Sequence, residues 1–242
     1  MDMKRVIGNS NAAVIPVSFT SGNGGALRII PASDETDLLN EMVNSTIHGL
    51  GILFGITALP FLSSLAIKHG NNNYLPAVFI YGFSFLMVFT FSTVYHGSRQ
   101  RTIKKVFEIL DHISIYFLIA GTYTPLILAY MNNATGMVML WLLWGLVLAG
   151  AAFKICFGCR YNILSTVVYL LMGWMLLWTG GDFFRSMPSV VKNLVISGGL
   201  LYTVGVVFFL WEKLKWHHAI WHSLVLLAAV CHFIAICKSM LV

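Results

Sequence analysis

Long runs of apolar residues, broken by short polar intervals, dominate this chain. The runs extend approximately from Val43 to Ile67, Leu75 to Tyr95, His112 to Met131, Gly136 to Cys156, Ile163 to Gly180, Val195 to Trp211 and Ala219 to Cys237. The intervals carry charges and helix breakers, as in Lys68 to Asn73, Arg99 to Lys105, the pair Asn132 and Asn133, and Arg185 to Lys192. Each run approaches the roughly 20 residues that a helix rising 1.5 Å per residue needs to cross about 30 Å of hydrocarbon. Lipid offers backbone amides no partners, so the runs are expected to be helices, and the alternating strands of about 10 residues that build a barrel are not evident. The pattern predicts an all-α bundle of seven transmembrane helices over residues 41–242, preceded by a flexible cytoplasmic tail over residues 1–40.

Composition supports that reading. With a mean hydropathy of +0.80, 58% hydrophobic and 10% charged residues, the chain lies far from a soluble domain and is expected in the plasma membrane, the inner membrane if bacterial. Of its 15 Lys and Arg residues, all but Lys68, Arg185, Lys192 and Lys238 fall in the tail or in the second, fourth and sixth loops. The positive-inside rule then puts the amino terminus in the cytoplasm and the carboxyl terminus outside. The net charge of +6 is explained by this topology and by attraction to anionic lipid, so no nucleic-acid partner is called for. In the tail, Asn9, Ser10 and Asn11 interrupt any apolar core after Lys4 and Arg5, which argues against a cleaved signal peptide.

Polar side chains at membrane depth are costly and tend to be kept for function. In this topology Ser92 and His96 end the second helix at the cytoplasmic side, Asp111 opens the third, and His218 and His222 open the seventh. Residues four apart share a helix face, a spacing that both Ser92 with His96 and His218 with His222 have. Three imidazoles plus a water would form an open tetrahedral zinc site, the pattern of catalytic zinc, able to make hydroxide near neutral pH. Asp111 would act as general base or orient the water, with Ser92 holding it. The plainer alternative for the His218 and His222 pair is hydrogen bonding or snorkelling at the interface, as expected for His217.

The motifs Glu41-x-x-Asn44-x-x-x-His48-Gly49-x-Gly51, Ser92-x-x-Tyr95-His96, Asp111-His112, Ala120-Gly121-Thr122-Tyr123-Thr124-Pro125 and His218-x-x-Trp221-His222 with His232 together resemble the hemolysin III family. That family is similar to the progestin and adiponectin receptors, the PAQR proteins. The resemblance runs from about Glu41 to the end and implies a seven-helix bundle with zinc held by His96, His218 and His222, and with Ser92 and Asp111 around its water. Family members are variously described as hemolysins, lipid-responsive receptors and ceramide-hydrolase-like enzymes.

Other polar positions have two readings each. Glu41, Asn44 and His48 form one stripe on the first helix, either supporting the zinc ligands or hydrogen bonding between helices. His232 lies ten residues past His222, about 15 Å deeper, too far for a ligand, and either lines a cavity or bonds across helices. Pro125 can bend the third helix beside Gly121, opening a lipid pocket or simply packing. Cys156-x-x-Cys159 can bind metal or cycle redox states, but has no second pair nearby and would stay reduced in the cytosol.

Three functions remain open. One is a zinc-dependent hydrolase of a lipid amide or ester; another is a sensor or regulator in which zinc only staples helices; the third is a pore-forming cytolysin. Carboxylates confined to the tail, loops and helix ends argue against an ion-coupled transporter. The last helix has no mid-membrane lysine for retinal, and a G-protein-coupled receptor would have the opposite topology.

Overall fold

The structure, a computed structural model, describes residues 32–69, 74–179 and 181–241. The described residues are helical, with no strand. The chain separates into two compact units, Met1–Glu41 and Met42–Val242. Residues 1–31 lie outside the described residues, and most of the expected tail lies there. In the first unit the described chain is already helix, from Ala32 onward.

The elements are α1 (Ala32–His69), α2 (Tyr74–Gly97), α3 (Arg101–Tyr130), α4 (Ala134–Phe157), α5 (Asn162–Gly173), a 3₁₀ turn (Met175–Thr179), α6 (Asp182–Ser186), α7 (Ser189–Leu210) and α8 (His217–Ser239). Local chemistry sets several ends. Asn133 caps α4, its side chain accepting from the Gly136 amide at 3.0 Å, and Gly158 closes the same helix in the left-handed region. Pro188 precedes α7, its preset φ suiting a helix start.

Among the described residues six helices, α1 to α4, α7 and α8, are long and apolar enough to cross a membrane, so this is a multi-span membrane protein. The expected fifth run departs from a single rod. It is the 12-residue α5, a break at Trp174 and the 3₁₀ turn. A helix broken at membrane depth needs its freed groups paired. Here Tyr123 Oη of α3 donates to the Gly173 carbonyl at the break, and the Trp174 indole N–H donates to Thr203 Oγ1 of α7 at 3.0 Å.

The core centres on α3, which packs on α2, α4, α5 and α8. Buried residues make up 67% of its most apolar stretch against 17% for that of α7, which packs chiefly on α8. Close approach is obtained with glycine. On α1, Gly51 sits against the Phe89 ring, and a Cβ on Gly55 would meet Leu86 at 2.7 Å. This spacing of small residues lets helices pack in lipid. Gly150 of α4 receives the Tyr116 ring of α3 in the same way.

Candidate metal centre

The last turn of α2 carries Ser92 and His96 on one face, both buried. The chain reverses after α7 through Trp211 to Trp216, and Trp216 adopts φ 67, the one non-glycine residue in the left-handed region among the described residues. Such backbone is costly for a bulky residue and concentrates at functional sites. It starts α8 so that His218 and His222 fall in the first turns, facing α2.

The sequence-predicted ligands do meet. His222 Nε2 lies 3.0 Å from His96 Nε2, and one nitrogen from each of His96, His218 and His222 lies within 4.8 Å of the others. Ring centroids are 4.8 Å apart for His96 and His222, 5.1 Å for His96 and His218, and 4.5 Å for His218 and His222. Nitrogens at roughly 2.0–2.1 Å from a tetrahedral ion sit about 3.3 Å from one another, so this cluster has the right scale. The donors fit too, since a neutral imidazole presents one lone pair. A buried three-histidine group able to hold a metal ion is therefore present.

Asp111, in the third turn of α3, is buried beside Ser92. Ser92 Oγ is sealed from solvent and has the Asp111 carboxyl as its side-chain hydrogen-bonding neighbour. Ser92 lies near the end of α2 as expected, whereas Asp111, expected to open the third helix, is the eleventh residue of α3, because that helix already begins at Arg101. On α1, Asn44 is 4% and His48 2% exposed, with the His48 ring 4.0 Å from that of His222. Glu41 is half-buried and ends the first unit.

A cavity of about 240 Å³ connects the histidines with the interior. Its lining reaches from Glu108 to Leu126 along α3 and from His218 to His232 along α8. These spans correspond to roughly 21–27 Å of helix at 1.5 Å per residue, so the cavity is long and narrow. His232 lines it and also bonds across helices, its Nε2 lying 3.2 Å from the Val195 carbonyl of α7, so both readings of that residue hold. Tyr123 lines the cavity as well, while Pro125 is buried within α3.

The remaining sequence candidates fall elsewhere. His217 Nδ1 is 3.3 Å from the Phe208 carbonyl, tying the α7–α8 turn. Cys156 is exposed and Cys159 half-buried, both free thiols. Burial pushes the Cys159 thiol up to about 11, with the nearby Glu108 adding to the shift, which leaves the thiolate scarce at neutral pH.

Sequence reading missed two features. Lys154, counted there with the loop charges, is wholly buried in the last turn of α4 and donates to Asn162 Oδ1 at 2.8 Å. Tyr202 and Thr203 line the cavity from α7, an element whose hydropathy had suggested only a span. Their spacing from Gly198 and Gly199, where His232 and Trp174 pack, is the signal that marks this inward face.

Comparison with known proteins extends the picture. A profile described as haemolysin-III related matches residues 36–233. The chain is 39% identical over 196 residues to the hemolysin-3 homolog of Bacillus subtilis (strain 168), covering 81% of this chain and 92% of that one. It is 40% identical over 186 residues to hemolysin-3 of Bacillus cereus, 77% and 85% of the two chains. It is also 32% identical over 167 residues to the human monocyte to macrophage differentiation factor, 66% and 68% of the two chains.

Proposed function

This chain belongs to the haemolysin III family, within the PAQR-like membrane proteins, and from that premise we propose that it is a zinc-dependent hydrolase of a lipid amide or ester. The observation that carries the reading is the three-histidine cluster, with Asp111 and Ser92, at one end of a long apolar cavity. Structural zinc usually has four protein ligands, whereas three histidines leave a position open.

His96, His218 and His222 would hold the ion. Bound there, zinc would bring the pKa of a water toward neutrality and polarise a carbonyl. The cavity's apolar walls would take the acyl chain and bring its carbonyl to the histidines. Asp111 would accept a proton as water oxygen bonds to the carbonyl carbon, then return it to the leaving nitrogen or oxygen as that bond breaks. The Ser92 hydroxyl, beside the Asp111 carboxyl, would orient the water.

Orientation follows the distribution of positive charge, with the amino terminus and the histidine cluster cytoplasmic. The seventh crossing would be α5 with its 3₁₀ continuation, together roughly 28 Å by helical rise. In this role the break at Trp174 would be part of the cavity wall.

The test is zinc-dependent release of fatty acid from lipid amides and esters by purified protein in liposomes. Release by the parent and none by Asp111→Asn, with zinc kept in both, supports the hydrolase. A second reading, zinc as a staple between α2 and α8 in a sensor, is favoured by the burial of the ligands and requires Asp111→Asn to behave as the parent. The Bacillus relatives are named hemolysins; dye release from the same liposomes at low protein dose would favour a membrane-perturbing activity instead.

A further inference from the structure

Four buried polar atoms around the cluster have no hydrogen-bond partner: His222 Nδ1, both nitrogens of His48, and Asn44 Oδ1. Each has almost no solvent exposure, and an unpaired buried group costs about 1–3 kcal/mol. They are also neighbours. The His48 and His222 rings meet edge to face at 4.0 Å between centroids, and Asn44 lies one turn before His48 on α1. Two hydrogen bonds account for all four atoms. With its Nε2 turned to His96, His222 can carry its proton on Nδ1 and donate it to one nitrogen of His48. The other His48 nitrogen can then carry a proton and donate it to Asn44 Oδ1. Donors and acceptors balance along this string.

We propose that His48 and Asn44 form a relay of hydrogen bonds from α1 that fixes the tautomer and orientation of His222, making α1 a structural part of a metal centre whose ligands come only from α2 and α8. Metal-bound histidines almost always donate their second ring N–H, and removing that partner typically weakens metal binding about 10- to 100-fold. His48 is a positioning residue, because its nitrogens fall outside the three-histidine group. The inference rests on the metal reading of that group.

The experiment compares full-length, detergent-purified parent with His48→Phe, His48→Gln and Asn44→Ala. Zinc affinity is read by chelator competition, the visible spectrum of the cobalt-substituted protein reports ligand geometry, and the melting temperature of the metal-free protein reports folding. His48→Phe fills the space without a nitrogen and should weaken zinc binding about 10- to 100-fold and alter the cobalt spectrum. His48→Gln retains an acceptor and should lie close to the parent, with Asn44→Ala between the two. Parent-like affinity and spectrum in His48→Phe overturn the relay, as does a loss in all three variants that merely follows their melting temperatures. A parent that binds no metal overturns the metal reading, and the relay with it; a parent that binds metal indifferently to His48 overturns the relay alone.

Discussion

His222 on α8 and His96 on α2, 126 positions apart in the chain, bring their Nε2 atoms to 3.0 Å of one another. Two imidazole nitrogens at that distance either share a proton or are drawn to a common cation. With His218 beside them, the second alternative predicts that the purified protein carries about one zinc per chain, as a single tetrahedral site would. His222→Ala should lose it, while Asp111→Asn, which removes no ligand, should keep it. Elemental mass spectrometry decides the matter, and a His222→Ala protein that folds and keeps full zinc sinks the site.

Asp111→Asn separates catalysis from structure. A positioned general base typically contributes about 10²- to 10⁴-fold, so kcat for fatty-acid release should fall by that order with zinc content unchanged. Ser92→Ala should lower it less, because the hydroxyl orients without moving a proton. Equal rates in parent and Asp111→Asn would leave the carboxylate without a chemical role.

The three-histidine cluster was legible in the sequence because i, i+4 spacing survives folding and because the order of the apolar runs puts the ends of α2 and α8 on one side. The fifth crossing was less legible. Hydropathy registers apolar length, but the break at Trp174 depends on partners from other helices, Tyr123 on α3 and Thr203 on α7. Lys154 shows the same limit. Its position near a helix end suggests a solvated cation, and only the packing of α4 against Asn162 makes it buried.

The α1 glycines give a contrasting pair. A Cβ at Gly51 would run into the Phe89 ring, whereas one at Gly49 meets nothing within 4 Å. Gly51→Ala should therefore destabilise the protein by about 1–3 kcal/mol through overpacking. Gly49→Ala should stabilise it slightly, since alanine is favoured over glycine within a helix by roughly 0.5–1 kcal/mol. Melting temperatures of the two variants moving in the same direction would contradict the packing of α1 on α2.

Cys159 should be slow to alkylate. Burial, reinforced by Glu108, raises its thiol to about 11, so the reactive thiolate is scarce at pH 7 and accumulates only as pH climbs toward that value. The raised value also means that any stability tied to the neutral thiol is present below about pH 9, the ordinary thiol value, and is lost as pH rises through about 11. Mass-spectrometric labelling with iodoacetamide across pH 7–10 tests this, with rapid labelling of Cys159 at pH 7 as the contrary result. Replacing both Cys156 and Cys159 by serine should leave zinc content untouched.

The cavity should be the seat of an acyl chain, and filling it should separate substrate binding from metal binding. Val206 of α7 is buried and lines the cavity without belonging to the histidine cluster. Val206→Trp puts a large ring into a space of about 240 Å³, at an overpacking cost of about 1–3 kcal/mol that the multi-helix core should tolerate. Lipid that copurifies with the parent, measured by mass spectrometry after extraction, should fall in this variant. KM for long-chain substrates should rise, short-chain substrates should be affected less, and zinc should stay near one per chain as in the parent. The dependence on chain length is the sharpest part of the test, because misfolding would depress every substrate alike. If Val206→Trp handles long and short chains as the parent does, the chain binds elsewhere and the cavity is only a packing defect.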